Sequence, residues 1–274
     1  MKPTRTLRFT RNGAHRISTG LVIAAALLFM HRNTMAIAPV DIGTGSGFAV
    51  LAGAGITAAG AVNTTTITGD IGTYPTTNIT GLGNVVLNGT NHAGDAVTQT
   101  AKSDLTLAYN DAVGRPPTTS YGAIYNLGGS SLTSGVYNGI SSFFITGALT
   151  LDAGGDPNAV WIFQAYSTLI TADGSQVILT NGARAANVFW QVGSSATLGT
   201  YSAFAGNILA MDSITLTTGA TVDGRVLARN GAVSLDSNTI NAVPEPAGAL
   251  LIGFGTAVIL AVRRRFPSCI RFDS

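Results

Sequence analysis

Asp152, Asp156 and Asp173 are the residues of this 274-residue chain whose type and spacing could do acid–base chemistry. Two carboxylates facing each other across a groove can protonate a glycosidic oxygen and activate a water, which is the chemistry of polysaccharide-cleaving enzymes. Their local sequence argues against that use. Asp152 and Asp156 sit in DAGGDPN, around Gly154 and before Pro157, a composition that closes corners through side-chain-to-backbone hydrogen bonds. His92 heads a helical stretch and reads as a helix-start residue, not as a general base or ligand. The glycine-rich GTGSG, residues 43–47, is not followed by the Gly-Lys-Ser/Thr of a phosphate loop. The one cysteine, Cys269, lies outside the body of the chain, so that body offers no thiolate nucleophile and no Cys-ligated metal. No enzymatic activity, metal or cofactor is expected.

The elements that would carry any site are read from a repeat. Residues 187–206 (NVFWQVGSSATLGTYSAFAG), 207–224 (NILAMDSITLTTGATVDG) and 225–242 (RVLARNGAVSLDSNTINA) each open with a polar residue and three mostly apolar ones. Rows of 18 to 20 residues are too short for helical repeats or propeller blades. They fit a β-solenoid, in which each coil buries its inward residues against its neighbours. Ile214 and Leu216 then point one way and Thr215 and Thr217 the other. Stacking the rows places Val188, Ile208 and Val226 in one column, and Leu198, Leu216 and Leu235 in another. Gly206, Gly224 and Gly231 fall near the corners, and Trp161 and Trp190 read as core.

Between Asn91 and Gly114 the glycines thin out, and Ala93, Val97, Ala101, Leu105, Ala108 and Ala112 recur every three or four residues. This spacing predicts a helix over about 91–114, with Asn91 as N-cap and Pro116 and Pro117 beyond its end. Phe189, Leu209 and Leu227 alternate out of phase with the inward column and would be exposed hydrophobes, so the helix is predicted to lie over them.

The net charge of +2 is misleading. Residues 41–241 hold five bases against eleven aspartates, a charge of −6, while the remaining bases cluster near the two ends. Binding of nucleic acid through a basic face is excluded on that ground. Lys2, Arg5, Arg8, Arg11 and Arg16 precede an apolar run at 21–30 and small residues at Ala36 and Ala38. Residues 1–36 therefore read as a secretory signal peptide, a substrate for signal peptidase. Residues 243–265 combine Pro244, Glu245 and Pro246 with an apolar stretch and Arg263, Arg264 and Arg265. They resemble the PEP-type sorting signal of Gram-negative bacteria, which implies an exosortase-type peptidase as partner, a transient transmembrane anchor, and a cell-surface or extracellular destination. Residues 266–274 form a short tail.

Five blocks in order, GSGFAVLAGAGIT, TTTITGDIGTYP, GTNHAGDAVTQTAKSDLTLAYNDAVGR, DPNAVWIFQ and NVFWQVGSSATLGTYSAFAGNILA, resemble the bacterial and fungal β-solenoid ice-binding proteins. The resemblance implies, for residues 41–242, a mostly β fold: a discontinuous right-handed β-solenoid of triangular section with one long α-helix packed alongside. It also implies adsorption to an ice crystal surface through a flat Thr/Ser-rich face. Strands stacked ~4.7–4.9 Å apart come close to repeats of the ice lattice, and threonine offers a stiff side chain with a methyl beside a hydroxyl. The family's Thr-Ala/Gly-x-Thr/Asn pattern is matched by Thr218-Gly219-Ala220-Thr221. It recurs in part at Asn238 and Thr239, at Thr200 and Ser202, and at Thr171. These seven residues are the expected ice contacts, centred on Thr218 and Thr221, with the outward side of Thr64 to Thr68 as the next candidate. The alternative is a surface or matrix adhesin whose solenoid face meets exopolysaccharide instead of ice.

Overall fold

The computed structural model describes residues 37–242. The predicted signal peptide, sorting signal and tail lie outside the described residues. Eight three-stranded coils stack into three parallel eight-stranded sheets. Coil 1 comprises β1 (Phe48–Ala52), β2 (Gly55–Ala59) and β3 (Thr65–Thr68), and coil 2 comprises β4 (Asp70–Thr73), β5 (Ile79–Thr80) and β6 (Val85–Asn88). A helix, α1 (Ala96–Gly114), follows. Coil 3 then has β7 (Thr119–Tyr121), β8 (Tyr125–Asn126) and β9 (Ser131–Leu132), and coil 4 has β10 (Gly135–Gly139), β11 (Phe143–Ile145) and β12 (Ala148–Asp152). Coil 5 has β13 (Trp161–Ala165), β14 (Leu169–Thr171) and β15 (Gln176–Thr180), and coil 6 has β16 (Val188–Val192), β17 (Ala196–Leu198) and β18 (Ala203–Ala205). Coil 7 has β19 (Asn207–Ala210), β20 (Ile214–Leu216) and β21 (Thr221–Asp223), and coil 8 has β22 (Val226–Ala228), β23 (Ala232–Asp236) and β24 (Thr239–Asn241). The first, second and third strands of the coils form sheets I, II and III.

The stacking order is not the chain order. Coil 8 pairs with coil 1, so the spatial sequence is 2, 1, 8, 7, 6, 5, 4, 3. The chain must therefore travel from one end of the stack to the other after coil 2. Seven inter-strand steps span about 34 Å, and the 19 residues of α1 rise about 28 Å. The helix makes that crossing in one element, its interior backbone groups bonded within the helix and its ends met by side chains.

The crossing helix also covers sheet I. Ala101, Leu105, Ala108, Tyr109 and Ala112 of α1 pack on Leu51, Ile162, Phe189, Leu209 and Leu227, as the out-of-phase hydrophobes predicted. Inside the triangle a second cluster runs the length of the stack, with Trp161 and Trp190 fully buried and Phe163 stacked on Trp190 at 3.9 Å.

Two expectations need correction. The helix starts at Ala96, capped by Asp95, whose Oδ1 accepts from the Thr98 N–H at 2.8 Å. Asn91 instead closes a local turn by accepting from Ala93 N–H, and Gly94 has φ +75°, which no α-helix interior holds. Ala93 thus precedes the helix, and Val97 is half exposed while Thr98 is buried. The second correction concerns register. Trp190, not Val188, is level with Ile208 and Val226, and Gln191, not Phe189, is level with Leu209 and Leu227. All three strands of coils 6 and 7 pair at an offset of 18 residues, so the two additional residues of the longer row extend the start of β16. The column Leu198, Leu216, Leu235 stands as expected.

Two carboxylates support α1 beside that apolar contact. Hydrogen bonds from the Thr98 backbone and from His92 hold Asp95 below its ordinary range, and the hydroxyl and backbone N–H of Thr44 do the same for Asp104. Depressed carboxylates stabilise the fold above their unfolded pKa, and that contribution disappears as pH falls through the folded value. Protection factors of the α1 amides, corrected for intrinsic exchange, are therefore expected to fall below about pH 4 while the strand amides stay protected. Uniform loss of protection would show that helix and solenoid open together. Burial, with the Arg229 guanidinium nearby, pulls Lys102 down to about 8, so this group favours folding as pH rises from that value toward the unfolded one.

Candidate functional site

Sheet I is occupied by the helix, which leaves two outer faces. On sheet II each short strand presents one central residue outward, and the registers place Thr197, Thr215, Ser234, Thr57 and Thr80 in one column across five consecutive coils. Beside it, one residue before the strands, run Thr168, Ser195 and Ser213. On the other side, at or just beyond the strand ends, run Gly199, Thr217, Asp236 and Ala59. Two residues along a strand are about 6.7 Å apart, and ranks repeat at ~4.8 Å. The result is a flat two-dimensional array of short side chains.

The hydroxyls of this array differ in their availability. Thr80 donates to Thr57 Oγ1 at 3.1 Å, and Thr217 donates to the Leu198 carbonyl at 2.8 Å. The side chains of Thr197, Thr215 and Ser234 make no hydrogen bond to protein among the described residues, so their hydroxyls are left to water. Asp236, the one carboxylate in the flanking column, between Thr217 and Ala59, is engaged by Thr218 and Ser237. The array ends where Ile170 and Phe144 take the central position in coils 5 and 4.

Sheet III is more broken. Thr221, Thr239 and Thr66 are in register, but Ala203 and Gln176 continue that column one way and Val86 the other. The next outward column carries Asp223, Asn241, Thr68 and Asn88. Burial pushes the Asp223 carboxyl up from its ordinary range.

The seven residues expected from the motif do not form one surface. Thr171 is 3% exposed, Ser202 1% and Asn238 0%, so these three cannot touch a crystal. Thr171 occupies an inward position of β14, where its Oγ1 accepts from Gly199 N–H at 2.9 Å. Ser202 and Asn238 belong to a corner column between sheets II and III. There Asn238 donates to the Thr217 and Ala220 carbonyls and accepts from Asp236 N–H. Motif spacing located the corner but not which side of it faces in. Thr218 and Thr200 lie at that corner, exposed and half-buried, with Thr200 donating to Thr217 Oγ1 at 3.3 Å. Thr221 and Thr239 are exposed on sheet III, as is Thr68, whereas Thr65 is buried. The sheet II column was signalled in the sequence by the outward phase of Thr215 against Ile214 and Leu216.

Asp152 and Asp156 close turns, and Asp173 joins two coils. Asp152 Oδ1 accepts from Gly154 N–H and Asn181 Nδ2, both at 2.8 Å, Asp156 Oδ1 accepts from Asn158 N–H, and Asp173 Oδ1 accepts from Thr200 N–H. His92 Nδ1 lies 2.7 Å from Asp95. Among the described residues no three His, Cys, Asp or Glu side chains converge as metal ligands, and no helix is long and apolar enough to cross a membrane.

The model of the family described as Ice-binding-like matches residues 50–241. The chain belongs to the ice-binding-like family. It is 44% identical over 239 residues to an ice-binding protein of Nostoc sp. (strain HG1), covering 82% of this chain and 87% of that one. It is 38% identical over 230 residues to an ice-binding protein of Colwellia sp, covering 78% and 88%. The crystal structure of the ice-binding protein from the Antarctic ascomycete Antarctomyces psychrotrophicus superposes with a TM-score of 0.71 at 44% identity, covering 74% of this chain and 98% of that one. In this ice-binding-like chain the helix takes one face of the triangle, and the hydroxyl array lies on another.

Proposed function

We propose that the chain adsorbs to ice through the outward face of sheet II. The observation that carries this reading is the in-register column Thr197, Thr215, Ser234, Thr57 and Thr80, whose first three ranks have hydroxyls without protein partners. Stiff β-branched side chains on a fixed lattice hold their methyls and hydroxyls in place before water arrives, so little entropy is lost when an ordered layer forms on them. Neither lysine nor arginine stands in this array. Thr218 and Thr200 border it at the corner, and Thr221 and Thr239 would extend it only round that corner. The relatives named as ice-binding proteins support the same reading.

The carboxylates already committed to turns support a binding role over catalysis. The basic, apolar leader and the Pro-Glu-Pro segment with its arginines support export by signal peptidase and sorting by an exosortase-type peptidase, which together bring the domain to the cell surface or beyond. Ice-affinity partition tests the central reading. Full chain frozen slowly from dilute solution is expected to be enriched in the ice relative to an inert protein of similar size. Exclusion from ice, with retention on immobilised exopolysaccharide, would replace this reading with the adhesin.

A further inference from the structure

A cleft of about 500 Å³ opens where the last turns of α1 pass over sheet I, round the corner from the hydroxyl array. Its size falls in the ~300–1,000 Å³ range of small-molecule sites. Its wall is an amide ladder. Asn138, Gln164 and Gln191 are in register on β10, β13 and β16. Gln164 is consumed by structure, since its Nε2 donates to the Ala112 and Arg115 carbonyls at 2.8 Å and its Oε1 accepts from Asn138 at 3.2 Å. That bonding closes the C-terminal end of α1.

Gln191 is different. It is 5% exposed, its Nε2 donates to Tyr109 Oη at 2.8 Å, and its Oε1 receives no hydrogen bond. Turning the amide over would exchange the atoms and leave Nε2 unmatched instead. Either orientation leaves one polar end of the amide in the cleft wall without a protein partner, open to water or to a ligand. At the rim stands Tyr166, 79% exposed. Beside it Gly193 permits the close approach of two coils, because a Cβ there would run into the Tyr166 carbonyl.

We propose that this cleft is a binding site for a neutral saccharide. Its lining contains no Asp, Glu, Lys, Arg or His, which disfavours a charged ligand. Carboxamides offer a donor and an acceptor in one plane, matching the adjacent hydroxyls of a sugar ring. An exposed tyrosine presents an apolar face for the C–H side of the same ring and a hydroxyl at its edge. A purely apolar ligand would leave the amide oxygens of Gln191 and Asn138 without a donor and is rejected for that reason. The site lies on a different side of the triangle from sheet II, so a molecule held by a glycan keeps its hydroxyl array free.

Calorimetric titration of the full chain with neutral tetrasaccharides tests this, using β-1,4-, α-1,4- and β-1,3-glucans with oligogalacturonate as the acidic contrast. At least one neutral glucan is expected to bind with Kd of about 1 mM or tighter. Tyr166→Ala is expected to weaken that binding about tenfold or more at unchanged Tm, because the side chain is exposed. Gln191→Leu is expected to do the same, with its Tm recorded to separate lost binding from lost fold. No binding by any neutral glucan, binding of oligogalacturonate alone, or undiminished binding by Tyr166→Ala would each overturn the proposal.

Discussion

Thr215→Tyr is expected to abolish most of the ice activity while leaving the fold intact. Thr215 sits at the centre of the array, with Thr197 and Ser234 in its column and Ser213 and Thr217 on either side. A phenol at that position stands several ångströms above a plane that all neighbouring hydroxyls must share with one water layer. The stability cost is small: tyrosine is favoured in strands, and outward substitutions of this kind stay within about ±0.5 kcal/mol. Because that layer can no longer seat on a flat plane, most of the thermal hysteresis should be lost. Thr221→Tyr on sheet III is the matched comparison, the same change on the other uncovered face, and is expected to retain activity within about twofold. Nanolitre osmometry on both variants, with Tm measured alongside, decides between the faces. Loss in Thr221→Tyr with retention in Thr215→Tyr would move the ice face to sheet III.

The repeat was legible because a solenoid writes its geometry locally: Ile214 and Leu216 inward, Thr215 and Thr217 outward, and glycines at corners where Gly206 and Gly224 do take positive φ. The helix was legible as a break in that pattern. Its start was not, because Asn91 and Asp95 are both competent caps and the choice is made by the left-handed Gly94 between them. The hydrophobes awaiting cover announced that α1 would lie on sheet I. The column slip at Val188 arose because a row longer by two residues can be aligned from either end, and only pairing decides which. The candidate site suffered most from this kind of ambiguity. Corner residues have no fixed alternation, so Ser202 and Asn238 could be placed near a surface by spacing yet turn inward, where their polar atoms meet backbone. Coil 8 adds a further shift. Its corner between Leu235 and Thr239 is one residue shorter than that between Leu216 and Thr221, which moves Asn238 into the column of Ala220. The return of coil 8 to coil 1 was also beyond local reading, since nothing in either row specifies a partner some 176 residues away.

That long-range seam predicts the largest loss of stability. Arg225, 1% exposed, lies immediately before β22 and bridges the seam: its Nε and Nη2 donate to the Ser46 carbonyl at 2.9 and 2.6 Å, and its Nη1 donates to Asn207 Oδ1 at 3.0 Å. Asn207 in turn donates to the Ala186 and Val188 carbonyls, so the guanidinium ties the segment entering coil 1 to coil 7 across coil 8. Arg225→Met keeps most of the buried volume but leaves Ser46 O and Asn207 Oδ1 without these donors, at about 1–3 kcal/mol for each such group. A total near 3 kcal/mol corresponds to a Tm lower by about 6–12 °C for a domain of this size. The cost comes from orphaned acceptors, and a buried polar group replaced together with its partner by apolar residues can be close to neutral. Arg225→Met combined with Asn207→Leu should therefore lose less than the sum of the two single changes. Arg225→Lys, a point charge without the fork, should recover only part of the loss. Calorimetric Tm values for the full chain and these variants provide the test, and a drop of less than about 2 °C for Arg225→Met would show that the seam is held by the pairing of β1 with β22 alone.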